Sequence, residues 1–310
     1  METAEDRRRA TRNVTLISIG VAATLVTIKL VVWLLGRSDA LLASASDSGL
    51  DLFASTMNFF AVRWAAAPPD REHRFGHGKG EAFASLLQAG LVFASAAVVG
   101  EEAVRHLIHP HPIAFEGWGV VVMVISIVLT AGLVFAQTRL LRSVSSVAVS
   151  ADRTHFAADL ASNAIALVAI VVAWLGLVWA DALGGLAVAG VLLWGAVGVF
   201  REASSQLLDH ELPDEDRRRI VGLMTSDPAI RHVHQLRTRA SGPIVHIQMH
   251  ADLDPDMTLE TAHKAVVAAE RRVLTAFPDA DILIHPDPEG RAEPHGGAFG
   301  EALQRAEESQ

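Results

Sequence analysis

Long apolar runs alternate with short polar breaks over the first two thirds of the chain. Six runs are long enough to cross a bilayer, because a spanning helix needs about 20 mostly apolar residues. They cover residues 14–36, 40–67, 80–107, 117–141, 147–177 and 178–200. The second, third and fifth carry polar residues at intervals, which is typical of helices that face a bundle interior. The pattern predicts a multi-pass membrane domain of six helices over residues 1–209.

The chain becomes polar and charged from about residue 210. Acidic residues after Pro213 favour a helix that ends near Thr225. Alternating residues over 232–239 and 244–251 predict two strands, and Thr258 is suited to cap a second helix. Residues 281–285 predict a last strand, stopped by the prolines that follow. This order favours a small α+β domain over residues 210–288. The Gly-, Glu- and Pro-rich tail, 289–310, is predicted to be disordered.

Composition supports the membrane assignment and narrows the chemistry. The mean hydropathy of the 310 residues is +0.32, and 26 basic against 35 acidic side chains give a net charge of −9. An acidic chain is not expected to have nucleic acid as a partner. The chain has no cysteine, which excludes disulfides, thiolate metal sites and cysteine nucleophiles. Imidazole and carboxylate are then the strong metal ligands available.

The basic residues of the short loops predict the orientation of the spans. Arginine and lysine concentrate before the first run and between runs two and three and runs four and five. By the positive-inside rule, both termini are expected in the cytoplasm, with the protein in the inner (plasma) membrane. No small-residue cleavage site follows the first run, so we expect a retained helix rather than a signal peptide.

Two pairs of ionisable residues lie inside predicted spans. Asp47 and Asp51 are spaced i, i+4, as are His155 and Asp159, so each pair shares one helix face. An unpaired Asp at the centre of a membrane costs on the order of 3 kcal/mol, and Lys29 can neutralise one acid at most. A divalent cation would compensate directly. Three carboxylates and one imidazole suit tetrahedral Zn²⁺, with Fe²⁺, Cd²⁺, Co²⁺ and Mn²⁺ as alternatives. The competing interpretation is a set of buried hydrogen-bonding groups that fix helix packing.

Two other groups of histidines and acids lie outside the spans. Asp70, His73 and His77 are spaced i, i+3, i+7, which would place them on one side of a short helical turn, although the spacing alone favours an ordinary polar loop. The region after residue 209 holds eight of the 14 histidines. His246 and His250 share one face of the second predicted strand, and His285 ends the last one. Convergence of several histidines at strand ends favours a metal cluster over unrelated surface residues.

Three short segments give the chain a specific resemblance. They are Asp47-Ser48-Gly49-Leu50-Asp51, His155-Phe156-Ala157-Ala158-Asp159 and Phe75-Gly76-His77-Gly78-Lys79. With the six spans, they resemble the cation diffusion facilitator family, in its bacterial zinc and ferrous-iron efflux branch. The resemblance extends from the first span to Asp287. It implies a membrane domain of six helices, a ferredoxin-like cytoplasmic domain and a homodimer.

The resemblance also implies roles for particular residues. The Asp47, Asp51, His155 and Asp159 set matches the family's transport site, and Asp70, His73 and His77 match a second cation site. The family's cytoplasmic binuclear zinc site, at the dimer interface, is matched by His234, His250, His263, His285 and Asp287. Lys79 and Asp209 match a pair that interlocks the two protomers. His210, His232, His246 and His295 match no role.

The function implied is export of a divalent cation, most simply Zn²⁺, by proton-coupled antiport with alternating access. His155 is the expected proton carrier, because an imidazole titrates near neutral pH. The chain is not expected to be an enzyme: it lacks the His-Glu-x-x-His motif of a membrane metalloprotease and the Gly-x-Ser-x-Gly motif of a serine hydrolase. The alternative is a metal-sensing or magnetosome-type membrane protein of the same family that does not transport.

Overall fold

A computed structural model describes residues 4–36, 39–109, 117–142, 144, 146–174 and 179–291. The chain forms two compact units, residues 1–207 and 208–310. Most of the predicted disordered tail, residues 292–310, lies outside the described residues.

The first unit consists of long helices that match the six apolar runs. They are α1 (Ala4–Gly36), α2 (Asp39–Ala65), α3 (Lys79–Ile108), α4 (Gly117–Leu140), α5 (Val147–Trp174) and α6 (Trp179–Leu207). The first begins ten residues before its apolar run, and the last continues seven residues beyond its run. Charged helix formers there continue the backbone hydrogen bonding past the apolar segment.

Four of these helices, α1, α3, α4 and α6, are long and apolar enough to cross a membrane. The other two, α2 and α5, contain the predicted intramembrane acids. Polar side chains in a spanning helix are expected to face protein rather than lipid. We therefore expect α2 and α5 to be the helices that build a site inside the bundle.

Glycines on α6 bring it close to its neighbours. A Cβ built on Gly195 would lie 2.7 Å from Thr154 Cγ2 on α5, and one on Gly185 would lie 2.9 Å from Ala103 Cβ on α3. Small residues let helix backbones approach closely in a membrane, where van der Waals packing drives association. The close crossing at Gly195 therefore holds α5 against α6 at Thr154, the residue before His155.

The second unit is a three-stranded sheet with two helices. Its elements are α7 (Asp214–Met224), β1 (Ile230–Ser241), β2 (Ile244–Leu253), α8 (Leu259–Ala276) and β3 (Ala280–Pro288). The strand order is β1-β2-β3, with β1–β2 antiparallel and β2–β3 parallel. The predicted element order is confirmed. Thr258 caps α8, since its hydroxyl accepts a hydrogen bond from Thr261 N at 3.3 Å.

The last strand is longer than predicted. It was expected to stop at Pro286, but it remains in register with β2 as far as Pro288. Proline is tolerated because β3 lies at the edge of the sheet, where a missing N–H costs no ladder bond on the open side. The extension brings Asp287 into the sheet, opposite Asp252.

One face of the sheet forms the core of this unit. Ile247, Met249 and Ala251 of β2 are buried against Ile220 of α7 and Val273 of α8. Because side chains alternate along a strand, the intervening residues of β2 point to the opposite face. That face carries the histidines and acids described below.

Candidate metal centres

Three of the four predicted intramembrane ligands converge between α2 and α5. His155 Nε2 lies 2.9 Å from Asp51 Oδ1 and 3.7 Å from Asp159 Oδ2. Their side chains are largely buried, with exposed fractions of 12% for His155, 17% for Asp51 and 31% for Asp159. One ligand atom from each lies within 4.8 Å of the others. The spacing of these atoms suits a single cation bound between them.

Asp47 lies one helical turn before Asp51 and does not join this group. Its side chain is exposed, although its carboxylate interacts electrostatically with Asp51 and Lys29. Its role as a fourth ligand stays a prediction.

Lys29 brings a positive charge to the same region. Its Nζ donates hydrogen bonds to Ser48 Oγ at 2.7 Å and to Ser44 O at 3.3 Å, and the residue is buried. Its charge also interacts with Asp51 and Asp159. The lysine therefore partly offsets the acidic charge of the group.

The loop between α2 and α3 brings Asp70, His73 and His77 together without a helical turn. Residues 66–78 form turns, bends and irregular backbone. Asp70 Oδ1 accepts the backbone amides of Glu72 and His73 at 2.8 and 2.6 Å. Each histidine ring has a nitrogen 3.3 Å from an Asp70 oxygen. The aspartate thus folds the loop around its own side chain, as in an Asx turn.

The same contacts affect the ionisation of Asp70. The backbone amides of His73 and Glu72 stabilise the charged form and lower the pKa of this carboxyl. The ring of His77 is buried against Trp64, with centroids 5.5 Å apart. An ionised carboxylate beside two imidazoles is a plausible ligand set for a divalent cation.

The sheet of the second unit arranges its ligands in two adjacent rows. In one row, His250 pairs with His234 of β1 and with His285 of β3. Asp287 reaches all three histidines: its carboxylate oxygens lie 2.8 Å from His250 Nδ1, 3.4 Å from His234 Nε2 and 3.3 Å from His285 Nε2. The register of the sheet therefore gathers four of the five predicted ligands.

The second row contains two residues that were missed from the sequence. Asp252 pairs with His232 and Asp287. Its carboxylate lies 3.4 Å from His234 Nε2 and 3.7 Å from His232 Nδ1. Each strand carries a ligand pair spaced i, i+2, namely His232/His234, His250/Asp252 and His285/Asp287. That shared spacing was visible in the sequence and places each pair on one strand face.

A β-bulge follows His234 on β1. The register shifts between His234 and Arg237, and Gln235 has a φ of 50°. A bulge adds one residue to a strand and changes which way the flanking side chains point. Here it lets His234 face the acids while the strand continues in register beyond Arg237.

The remaining predicted residues lie apart from these groups. His263 is exposed on α8 and does not join the cluster of its own chain. Lys79 Nζ donates a hydrogen bond to Leu207 O at 3.4 Å, and Asp209 Oδ2 lies 3.2 Å from Arg239 Nη1. The interface role of these three residues involves a second protomer and stays a prediction.

Two family profiles match consecutive parts of the chain. The cation efflux transmembrane domain matches residues 15–208, and the cytoplasmic domain of cation efflux proteins matches residues 212–289.

Curated relatives resemble nearly the whole chain. A protein of Shewanella oneidensis named cation-efflux pump FieF is 40% identical over 271 residues, covering 87% of this chain and 92% of its own length. A protein of Klebsiella pneumoniae with the same name is 39% identical over 268 residues, covering 86% and 89%.

Solved structures match about a quarter of the chain. A zinc form of CzrB is 32% identical, with a TM-score of 0.26, and covers 27% of this chain and 98% of its own. A metal-bound C-terminal domain of the CzcD transporter from Thermotoga maritima is 26% identical, with a TM-score of 0.25, and covers 26% and 93%.

Proposed function

Since the chain belongs to the cation diffusion facilitator family of cation efflux proteins, we propose that it exports Zn²⁺ from the cytoplasm in exchange for protons. The family assignment confirms the resemblance found in the sequence, and with it a divalent-cation efflux function. Its relatives are named as pumps rather than enzymes, which confirms the prediction that the chain is a transporter. Zinc as the ion and protons as the driving ion are the parts that we propose.

The observation that carries the proposal is the group formed by Asp51, His155 and Asp159. Two carboxylates and an imidazole within 4.8 Å of one another inside a membrane bundle offer a site for one divalent cation. The 2.9 Å separation of His155 Nε2 and Asp51 Oδ1 suits a shared proton when no metal is bound. A metal that binds His155 Nε2 displaces that proton. The same side-chain atoms therefore bind either a proton or a metal ion.

Alternating access turns this exchange into export. In the inward-facing state the site releases protons to the cytoplasm and takes up metal. In the outward-facing state incoming protons displace the metal to the outside. Both termini lie in the cytoplasm in this proposal, and the sheet cluster therefore samples the metal that is to be exported.

The ligand chemistry supports Zn²⁺ over harder ions. Mixed imidazole and carboxylate ligation is typical of zinc, whereas Mg²⁺ and Ca²⁺ prefer oxygen ligands alone. Fe²⁺, Cd²⁺ and Co²⁺ are the alternatives, because ligand identity ranks these ions poorly. Flux measured over a panel of these ions decides the selectivity.

The test is zinc flux in proteoliposomes with an imposed pH gradient. We expect Asp51→Ala and Asp159→Ala to reduce flux at least about a hundredfold, since each leaves the metal too few ligands, and Asp70→Ala to keep much of it. Full flux from Asp159→Ala would refute the site. A protein that binds zinc but moves none would instead be a metal sensor.

A further inference from the structure

A second polar region lies inside the membrane domain, next to the proposed transport site. Asp152 precedes His155 by three residues on α5, which is about 4.5 Å along the helix axis. Its side chain is buried, with 1% of the residue exposed. Its spacing to His155 is i, i+3 and not the i, i+4 of the two predicted ligand pairs, and Asp152 was not predicted from the sequence.

Side chains from four other helices surround the Asp152 carboxylate. Gln137 Nε2 of α4 donates to Asp152 Oδ2 at 2.8 Å and also reaches Ser18 Oγ of α1 at 3.2 Å. Ser55 of α2 and Gln88 of α3 lie beside the same carboxylate. Each of these residues is 1% exposed or less. These five residues define the inner chamber.

Several polar atoms of the inner chamber have no hydrogen-bond partner among the described residues. They are three oxygens that accept, Asp152 Oδ1, Gln137 Oε1 and Gln88 Oε1, and two groups that can donate, Gln88 Nε2 and Ser55 Oγ. Gln137 Nε2 donates to two oxygens, of Asp152 and Ser18, which leaves its Oε1 as an acceptor. Buried acceptors without partners are rare and costly. Such a chamber favours the binding of a species that is positively charged or donates hydrogen bonds.

Polar contacts continue from the inner chamber towards the N-terminal end of α5. Asn58 Nδ2 donates to Ala148 O at 3.0 Å. Ser146 Oγ donates to Glu81 Oε2 at 2.7 Å. With Asp152 between these contacts and His155, buried polar groups line α5 from its first turn to the transport site. Arg139 and Arg142, which precede α5, place that first turn on the cytoplasmic side in the proposed orientation.

We propose that the inner chamber is a second cation-binding position, which receives a partly hydrated divalent cation from the cytoplasmic side before it reaches Asp51, His155 and Asp159. The proposal rests on the transport function argued above. One carboxylate with neutral amide and hydroxyl oxygens suits a cation that keeps part of its water shell. Such a site binds weakly enough to pass the ion on, as conduction through successive sites requires.

The experiment measures zinc flux against zinc concentration for the full chain in proteoliposomes. Asp152→Asn preserves shape and removes the charge, and we expect it to raise KM for Zn²⁺ at least about fivefold. Gln88→Leu removes a buried amide whose polar atoms have no partner, which is neutral or stabilising for folding, yet we expect it to raise KM at least about twofold. Ser126→Ala is the matched control, a buried polar residue of α4 about 16 Å from Gln137 along the helix, and KM should not change.

A second measurement counts zinc bound per chain by equilibrium dialysis, with and without Asp159→Ala. The bound zinc that is lost in Asp159→Ala should still be present in Asp152→Asn and Gln88→Leu. Its loss would show that the chamber only supports the transport site, and unchanged KM in both variants would also overturn the proposal. Should Asp152→Asn fail to insert, Gln88→Leu decides alone. Abolished flux in Asp159→Ala with normal KM in the chamber variants would refute the chamber and leave the transport function intact.

Discussion

At the scale of single residues, we expect the charge of Lys29 to oppose metal binding. Its ammonium is buried near Asp51 and Asp159, so it stabilises the acids when the site is empty. A bound cation meets the same positive charge as a repulsion. The lysine should therefore weaken metal affinity and assist release.

Replacement of Lys29 by methionine tests this effect. Removal of one nearby charge is worth on the order of 1 kcal/mol, so Lys29→Met should bind zinc about fivefold more tightly in a dialysis or calorimetric titration. Lys29→Arg, which keeps the charge, serves as the control. Weaker binding by Lys29→Met would mean that the hydrogen bond to Ser48 positions the site instead.

The residues missed in the sequence show where a linear pattern stops being informative. The i, i+4 pairs on α2 and α5 identified Asp51, His155 and Asp159 because helical spacing alone places them on one face. The i, i+2 spacing of His250 and Asp252 was visible in the sequence, but only the pairing of the strands brings Asp252 beside His232 and His234, since register is a property of the sheet rather than of one strand. Asp152 was missed because its partners come from four other helices.

At the scale of elements, the close crossing of α5 and α6 controls the position of His155. Gly195 leaves no room for a side chain against Thr154, which adjoins His155. A larger residue there would push α5 away from α6. The transport site would then lose its geometry without losing a ligand.

Gly195→Val should reduce zinc flux about tenfold or more, because even a displacement of about 1 Å costs much of a site's function. Gly198→Val is a matched control on the same helix, since a Cβ there meets no atom within 4 Å. The measurement is proteoliposome flux at equal protein incorporation. Equal loss in both variants would point to a general effect on α6.

Helix prediction succeeded where strand and loop prediction was less accurate, for physical reasons. The length of an apolar run determines a spanning helix almost alone, so all six runs formed helices. The end of β3 was wrong because a proline stops a central strand but not an edge strand. The spacing of Asp70, His73 and His77 suits a helical turn, but the segment is a loop, because the Asp70 side chain accepts backbone amides that a helix would use elsewhere.

At the scale of the whole molecule, we expect the sheet cluster to couple metal binding to assembly. We expect zinc to favour the homodimer, since the predicted ligand His263 does not join the cluster of its own chain. His250→Ala should therefore reduce zinc-dependent dimer formation by the full chain about tenfold, measured by light scattering in detergent. His210→Ala, outside the cluster, is the control. A dimer equally tight in both variants would contradict this linkage.

We expect a bound metal to protect the end of the edge strand β3. Pro286 and Pro288 have no N–H and offer no donor on the open side of the strand, so this end is held by one ladder of backbone hydrogen bonds, to β2. Asp287 lies between them and contacts histidines on all three strands. A zinc ion bound there would connect the three strands. We expect it to slow amide hydrogen exchange at His285 and Asp287 and to leave exchange in α7 unchanged. Equal amide exchange rates at β3 with and without zinc would show that packing alone holds the strand.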